Sequence, residues 1–106
     1  MLESDDQPTA VLTSSIVVGL GAQRALHDAG LEMGRDISVL THDDVLSYMR
    51  NGGEIPLFTA TRSAVRPAGK RCAEILLSLI ADPNQRPTQE TQECELVVGR
   101  STGPCP

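Results

Sequence analysis

His42, Asp43 and Asp44 stand in a row directly after an apolar stretch, Ile37-Ser38-Val39-Leu40. An imidazole beside two carboxylates can ligate a metal, exchange protons or accept hydrogen bonds from a ligand's hydroxyls. Successive strand residues point to opposite faces, so three in a row converge on one ion only where the chain turns. No second cluster of His, Asp or Glu accompanies them to complete a metal site, and His27 falls on the polar face of a helical pattern. A nucleophile finds no better support. Ser14 and Ser15 lack the G-x-S-x-G setting of a nucleophile elbow, and serines ahead of a helical run are ordinary N-caps. Two readings of the acids stay open: capping of a short helix that follows, and hydrogen bonding to a ligand. One acid can serve each. No cofactor is expected.

The stretch SIVVGLGAQRALHDAG allows a second chemistry. Ile16-Val17-Val18 could be a strand and Gly19-Leu20-Gly21 the turn of a dinucleotide loop. Asp43 would then lie 24 residues beyond Gly19, near the place where an acid holds the ribose. The pattern wants a small residue at position 24, and Arg24 stands there instead. Its bulk would obstruct the close helix–strand approach that position exists to allow. Small residues inside a helix are the better reading.

The elements that must position these residues follow from periodicity. Thr9 to Leu12 reads as a strand after Pro8, and Thr13-Ser14-Ser15 supplies N-cap residues. Val18, Ala22, Ala25, Leu26 and Ala29 recur at helical spacing over Ile16 to Ala29, and Gly30 ends that helix. Ile37 to Leu40 is a second strand of the kind covered on both faces. Val45 to Arg50 suits a short helix, stopped by Asn51-Gly52-Gly53, and Leu57 to Thr61 a third strand. A second long helix spans Ala64 to Ala81. Its stripe is Val65, Ala68, Cys72, Ile75, Leu76 and Leu79, with Arg66, Lys70, Arg71 and Glu74 toward water. Cys94 to Val98 is a last strand before a Gly/Pro tail. Strands alternating with helices build a mainly parallel sheet, whose ligands sit at the carboxyl ends of the strands. Asp43 and Asp44 lie at such an end.

With 106 residues the chain is one small domain or part of a larger one. Forty per cent of it is apolar, but one Phe, one Tyr and no Trp make for an aliphatic core. A net charge of −5 argues against a nucleic-acid surface, which needs a basic patch. No run approaches the roughly 18 apolar residues of a membrane span. The acidic start, Met1 to Asp6, lacks the regions of a secretory signal, which points to the cytoplasm. Three cysteines, Cys72, Cys94 and Cys105, cannot all pair within one chain. A reduced protein with Cys72 buried in its helix is expected.

Read together, PTAVLTSSIVVGLGAQRALHDAGLEMGRDISVLTHDD, LFTATRSAVRPAGKRCAEILLSLI and ELVVGRSTGPCP resemble the C-terminal part of the effector-binding domain of the lac repressor family of bacterial transcription regulators. They come in family order with family spacing and cover nearly the whole chain. The fold is shared with periplasmic sugar-binding proteins. The resemblance implies an α/β architecture, a layered, mainly parallel sheet flanked by helices, of the periplasmic binding protein-like type I, C-terminal portion only. Two lobes then enclose a cleft. Residues 1–57 belong to the C-terminal lobe, residues 58–98 supply a crossover strand, helix and strand that pack on the N-terminal lobe, and residues 99–106 form a tail. Also implied are no enzyme activity, a small-molecule effector of sugar type, no membrane, and DNA contact only through a helix-turn-helix domain absent from this chain. A homodimer would form near Ile16 to Arg24 and Val45 to Asn51.

The same resemblance places ligand contacts at Asp43, Ser14, His42 and Val65. An ionised carboxylate at Asp43 can accept from two hydroxyls at once. Ser14 and Ser15 stand where the family usually has Asn and Asp, and Thr41 and His42 where it has Gly and an aromatic residue. These departures leave the fold assignment intact and do not name the effector. Other readings are a periplasmic-type sugar-binding fragment and a nucleotide-dependent oxidoreductase fragment.

Overall fold

In a computed structural model the protein is described over residues 7–45 and 49–105. Strand β1 (Ala10–Thr13) leads through two serines into helix α1 (Ile16–Asp28). Ser15 is the N-cap, its hydroxyl accepting from the Val18 amide at 3.4 Å. At the far end Gly30 takes φ 72°, the left-handed conformation that lets a chain leave a helix. Gly19 and Gly21 both lie inside α1, so the phosphate-binding turn does not exist. Gly19 instead lets the helix approach Phe58: a Cβ there would sit 3.2 Å from the ring.

Strand β2 (Ser38–Asp43), strand β3 (Thr59–Arg62), helix α2 (Val65–Ala81) and strand β4 (Glu95–Val97) follow. The four strands form one sheet in chain order. β1, β2 and β3 run parallel, while β4 is antiparallel to β3. β2 continues past the expected Leu40 to Asp43, so His42 and Asp43 are strand residues. The short helix expected at Val45 to Arg50 falls largely on residues 46–48, outside the described residues. Val45, Met49 and Arg50 are not helical. Val45 has φ 56°, a left-handed turn that a β-branched residue seldom makes.

β2 buries alternate residues, Val39, Thr41 and Asp43. These face α1, whose Ile16 and Leu26 join Val39, Ile37 and Phe58 in the core. Each such side chain contributes about 1.5–3 kcal/mol through burial. The second strand, expected to be covered on both faces, is covered by α1 on one. On the opposite face Leu12, paired in register with Leu40, is 75 % exposed. The C-terminal tail is woven into the amino ends of β2 and β3. The Ser101 carbonyl accepts from the Val39 amide at 2.8 Å, and the Ser101 hydroxyl accepts from the Thr59 amide at 2.8 Å. That hydroxyl also donates to the Val39 carbonyl.

Helix α2 starts after Ala64 without a side-chain cap. Pro67 is tolerated in its first turn, where amides lack helical partners anyway. The apolar stripe is present as expected, but α2 packs on no strand and no other helix. None of its residues is buried. Cys72, expected inside, is exposed with Cys94 and Cys105, because among the described residues no strand or helix covers α2. The loop after α2 returns to it. Arg71 pairs with Glu90, and the Ser78 hydroxyl donates to Gln85 Oε1 at 2.6 Å. Between helix and loop runs a groove of about 550 Å³ lined by Ala68, Cys72, Ile75 and Leu79.

Candidate functional site

All four residues singled out from the sequence lie at the carboxyl ends of the parallel strands. Ser14 follows β1, His42 and Asp43 end β2, and Val65 opens the helix that follows β3. The most constrained is Asp43, which is buried, with 4 % of its side chain exposed. Its Oδ1 accepts from the Val45 amide at 2.9 Å, a tight local turn in which the acid caps the chain leaving the strand. Its Oδ2 accepts from Arg62 Nε at 3.3 Å. Parallel register makes this possible, since Asp43 and Arg62 are opposite partners on β2 and β3. Backbone bonds support the corner, with the Ser63 amide donating to the Asp43 carbonyl at 3.1 Å.

Arg62 ties a third element in. Its Nη2 reaches the Asn51 carbonyl at 3.4 Å, and its Nη1 lies 3.9 Å from a Glu95 carboxylate oxygen. Asn51 is itself buried. Its side-chain amide donates to the Phe58 carbonyl at 2.7 Å and its Oδ1 accepts from the Phe58 amide at 2.9 Å, standing in for a strand neighbour. Asp43, Val45, Met49, Arg50, Asn51, Gly52 and Arg62 enclose a cleft of about 360 Å³, the scale of a small-metabolite pocket.

His42 points to the other face of the sheet, as strand alternation requires. Its Nδ1 is 3.0 Å from Thr61 Oγ1 and its Nε2 3.1 Å from Ser63 Oγ. The ring is thus held between two hydroxyls and does not join Asp43. Val65 lines a smaller groove of about 110 Å³ with Asp44, Val45, Ala64, Arg66 and Pro67. Ser14 is exposed and lines neither space. Among the described residues, no group of three or more His, Cys, Asp or Glu is placed to hold a metal ion.

Sequence reasoning missed Arg62 and Asn51. Asn51 reads as the end of a turn, and its pairing with Phe58 has no local signature. Arg62 could have been found by extending the third strand one residue and setting it parallel beside β2. The structure also exposes a conflict on the α1 face. Thr41 is fully buried, and its hydroxyl has no hydrogen-bond partner among the described residues.

The chain is an open α/β sheet with a polar cleft at the carboxyl edge of its parallel strands, the place where such sheets take ligands. The periplasmic binding protein-like domain family matches residues 1–102. The HTH-type transcriptional regulator AglR of Rhizobium meliloti (strain 1021) is 49 % identical over 100 residues, covering 93 % of this chain and 28 % of that protein. The lactose operon repressor of Escherichia coli (strain K12) is 35 % identical over 79 residues, covering 74 % and 21 %. The ribose operon repressor of Haemophilus influenzae is 31 % identical over 87 residues, covering 80 % and 25 %. The chain belongs to the periplasmic binding protein-like family, in the form carried by regulators of the lac repressor type. It spans between 21 % and 28 % of the length of these relatives. Among the described residues no helix is long and apolar enough to cross a membrane.

Proposed function

We propose that this chain is the C-terminal part of the effector-binding domain of a transcription regulator that senses a small, sugar-like metabolite in the cytoplasm. The observation that carries this reading is the cleft around Asp43 and Arg62, at the carboxyl ends of β2 and β3. Buried polar groups converge there on a space of small-molecule size. Two relatives are repressors of lactose and ribose operons, which supports the sugar class. In this reading Asp43 organises the site and Val65 lies in the adjoining groove, while Ser14 and His42 stand at the same edge of the sheet without lining either space. No bond in the chain is made or broken; the output is a change in lobe arrangement.

Residues 1–57 then form most of one lobe, and α2 with β4 (residues 58–98) packs on the other. The bare stripe of α2 supports that division, because burying its larger side chains contributes about 1.5–3 kcal/mol each. Residues 99–106 form the tail that closes the first lobe, with Ser101 bonded to both β2 and β3. DNA is contacted through another domain of the complete protein. A homodimer is supported by apolar residues on the outside of α1 and the following corner: Val17 is 59 % exposed, Val18 and Val45 each 50 %.

The test is calorimetric titration of the complete protein with mono- and disaccharides, followed by operator binding in the presence of any ligand found. Saturable binding that changes operator affinity is the expected result. Tight operator binding insensitive to every metabolite tried, with no heat of ligand binding, would refute the effector role.

A further inference from the structure

The polar group that the cleft presents to a ligand is set by how deeply each partner of the ion pair lies. Asp43 has 4 % of its side chain exposed, whereas Arg62 has 32 %. The carboxylate is at the back, engaged on one oxygen by the Val45 amide and on the other by Arg62. The guanidinium is at the front. Its contacts are long, at 3.3 Å to Asp43, 3.4 Å to the Asn51 carbonyl and 3.9 Å to Glu95. A guanidinium has five N–H groups, so donors remain for an oxygen-rich ligand.

Charge points the same way. Of the described residues that line the cleft, Asp43 is the one acid, and Arg50 and Arg62 are both basic. Asp43's charge is spent behind Arg62, whose Nη1 also lies 3.9 Å from Glu95 outside the cleft, and no second acid among the described lining residues faces Arg50. We infer that Arg62, rather than Asp43, meets the ligand, and that the site takes a sugar-type molecule bearing a carboxylate or phosphate. Planar, forked donors match such a group in two parallel bonds. Asp43 is then a positioning residue, aligning the guanidinium from behind. The inference rests on the effector-binding reading above and deepens it.

The experiment compares D-glucose, D-glucuronate and D-glucose 6-phosphate as probes on the complete protein, wild type, Arg62→Lys, Arg62→Met and Asp43→Asn, each shown to be folded by circular dichroism. The expected result is at least tenfold tighter binding of one of the two anionic probes than of D-glucose. Arg62→Met should erase that preference and Arg62→Lys should retain part of it, with the preference shrinking as salt rises. Asp43→Asn should weaken anion binding less than Arg62→Met does. Equal or tighter binding of neutral D-glucose, unaffected by Arg62→Met, overturns this inference and leaves the effector-binding reading standing. Failure of all three probes, with neutral disaccharides also inert, overturns both. The glucuronate and phosphate arms separate the two sources of negative charge.

Discussion

Removing the charge of Asp43 while keeping its shape tests how the corner of the site is held. Asp43→Asn retains an Oδ1 that accepts from the Val45 amide but gives up the ionic bond to Arg62. At 3.3 Å, in an effective dielectric of about 20, the gross attraction is roughly 5 kcal/mol. Desolvation of a carboxylate with 4 % exposure offsets most of it. Because Arg62 is about one-third exposed, the net value falls between that of a solvated pair, about 0.2–1 kcal/mol, and that of a charge-assisted buried bond, about 1.5–3 kcal/mol. We expect a coupling of about 1–2 kcal/mol. A double-mutant cycle of Asp43→Asn and Arg62→Met measures it, using urea unfolding of the complete protein followed by two probes. Coincident transitions are needed before free energies are compared. Each single variant should lose more stability than the pair interaction alone explains, and the double variant should lose less than the sum. A coupling below about 0.3 kcal/mol, the scatter of additive sites, would refute the pair as a structural tie. The cleft's geometry would then need another organiser.

Three further outcomes follow from particular atoms. Thr41→Val should stabilise the protein by about 1 kcal/mol, because the hydroxyl it removes is buried without a partner among the described residues; Thr41→Ser, which keeps the hydroxyl, should not, and thermal melting separates the two. Gly99→Ala should lower the melting temperature sharply, since its Cβ would lie 2.5 Å from the Phe58 backbone. Gly21→Ala, with open space around it, should melt at or above the wild-type temperature. The loop after α2 should be pH-sensitive in one direction. Hydrogen bonding from Arg71 holds Glu90 below the usual carboxylate range, so their tie is complete at neutral pH and lost as the pH falls through that lowered value. Hydrogen exchange over residues 85–92 should accelerate there, and Glu90→Gln should show the faster exchange already at neutral pH. Rates independent of pH and of the substitution would show that the tie does not order the loop.

What the sequence made legible, and what it hid, divides along the range of the interactions involved. α1 was readable because its signals are local: serines before it, a helical repeat within it, Gly30 after it. The strands were readable for the same reason, with ends displaced by a residue or a few. The Asp43–Arg62 pair joins residues 19 apart in sequence and exists only because β2 and β3 run parallel with Leu40 opposite Thr59. The sequence shows the two residue types but not that register. Sliding the strands by one residue would put Arg62 and Asp43 on different faces, and the cleft would present a bare carboxylate.

The tail and α2 mark two further limits. Ser101 is a small polar residue in a Gly/Pro stretch, and nothing in its neighbourhood says that its hydroxyl bridges Val39 and Thr59. For α2 the limit is of another kind. Its stripe of Val65, Ala68, Cys72, Ile75, Leu76 and Leu79 reads as a face that burial would stabilise, yet Cys72 is exposed. Helical periodicity records that a face is apolar, not what covers it. In this chain the sheet's face opposite α1 is also bare, with Leu12 75 % and Leu96 62 % exposed. Two apolar surfaces that could have satisfied each other do not meet. The Val65 start, one residue after a two-residue exit from β3, directs α2 off the sheet, and the loop to Glu95 is long enough for β4 to return antiparallel beside β3. The chain leaves the sheet after β3, forms α2 away from it and returns as β4 beside β3, a path compatible with the two-lobe arrangement proposed above and independent of the residue types of the cleft.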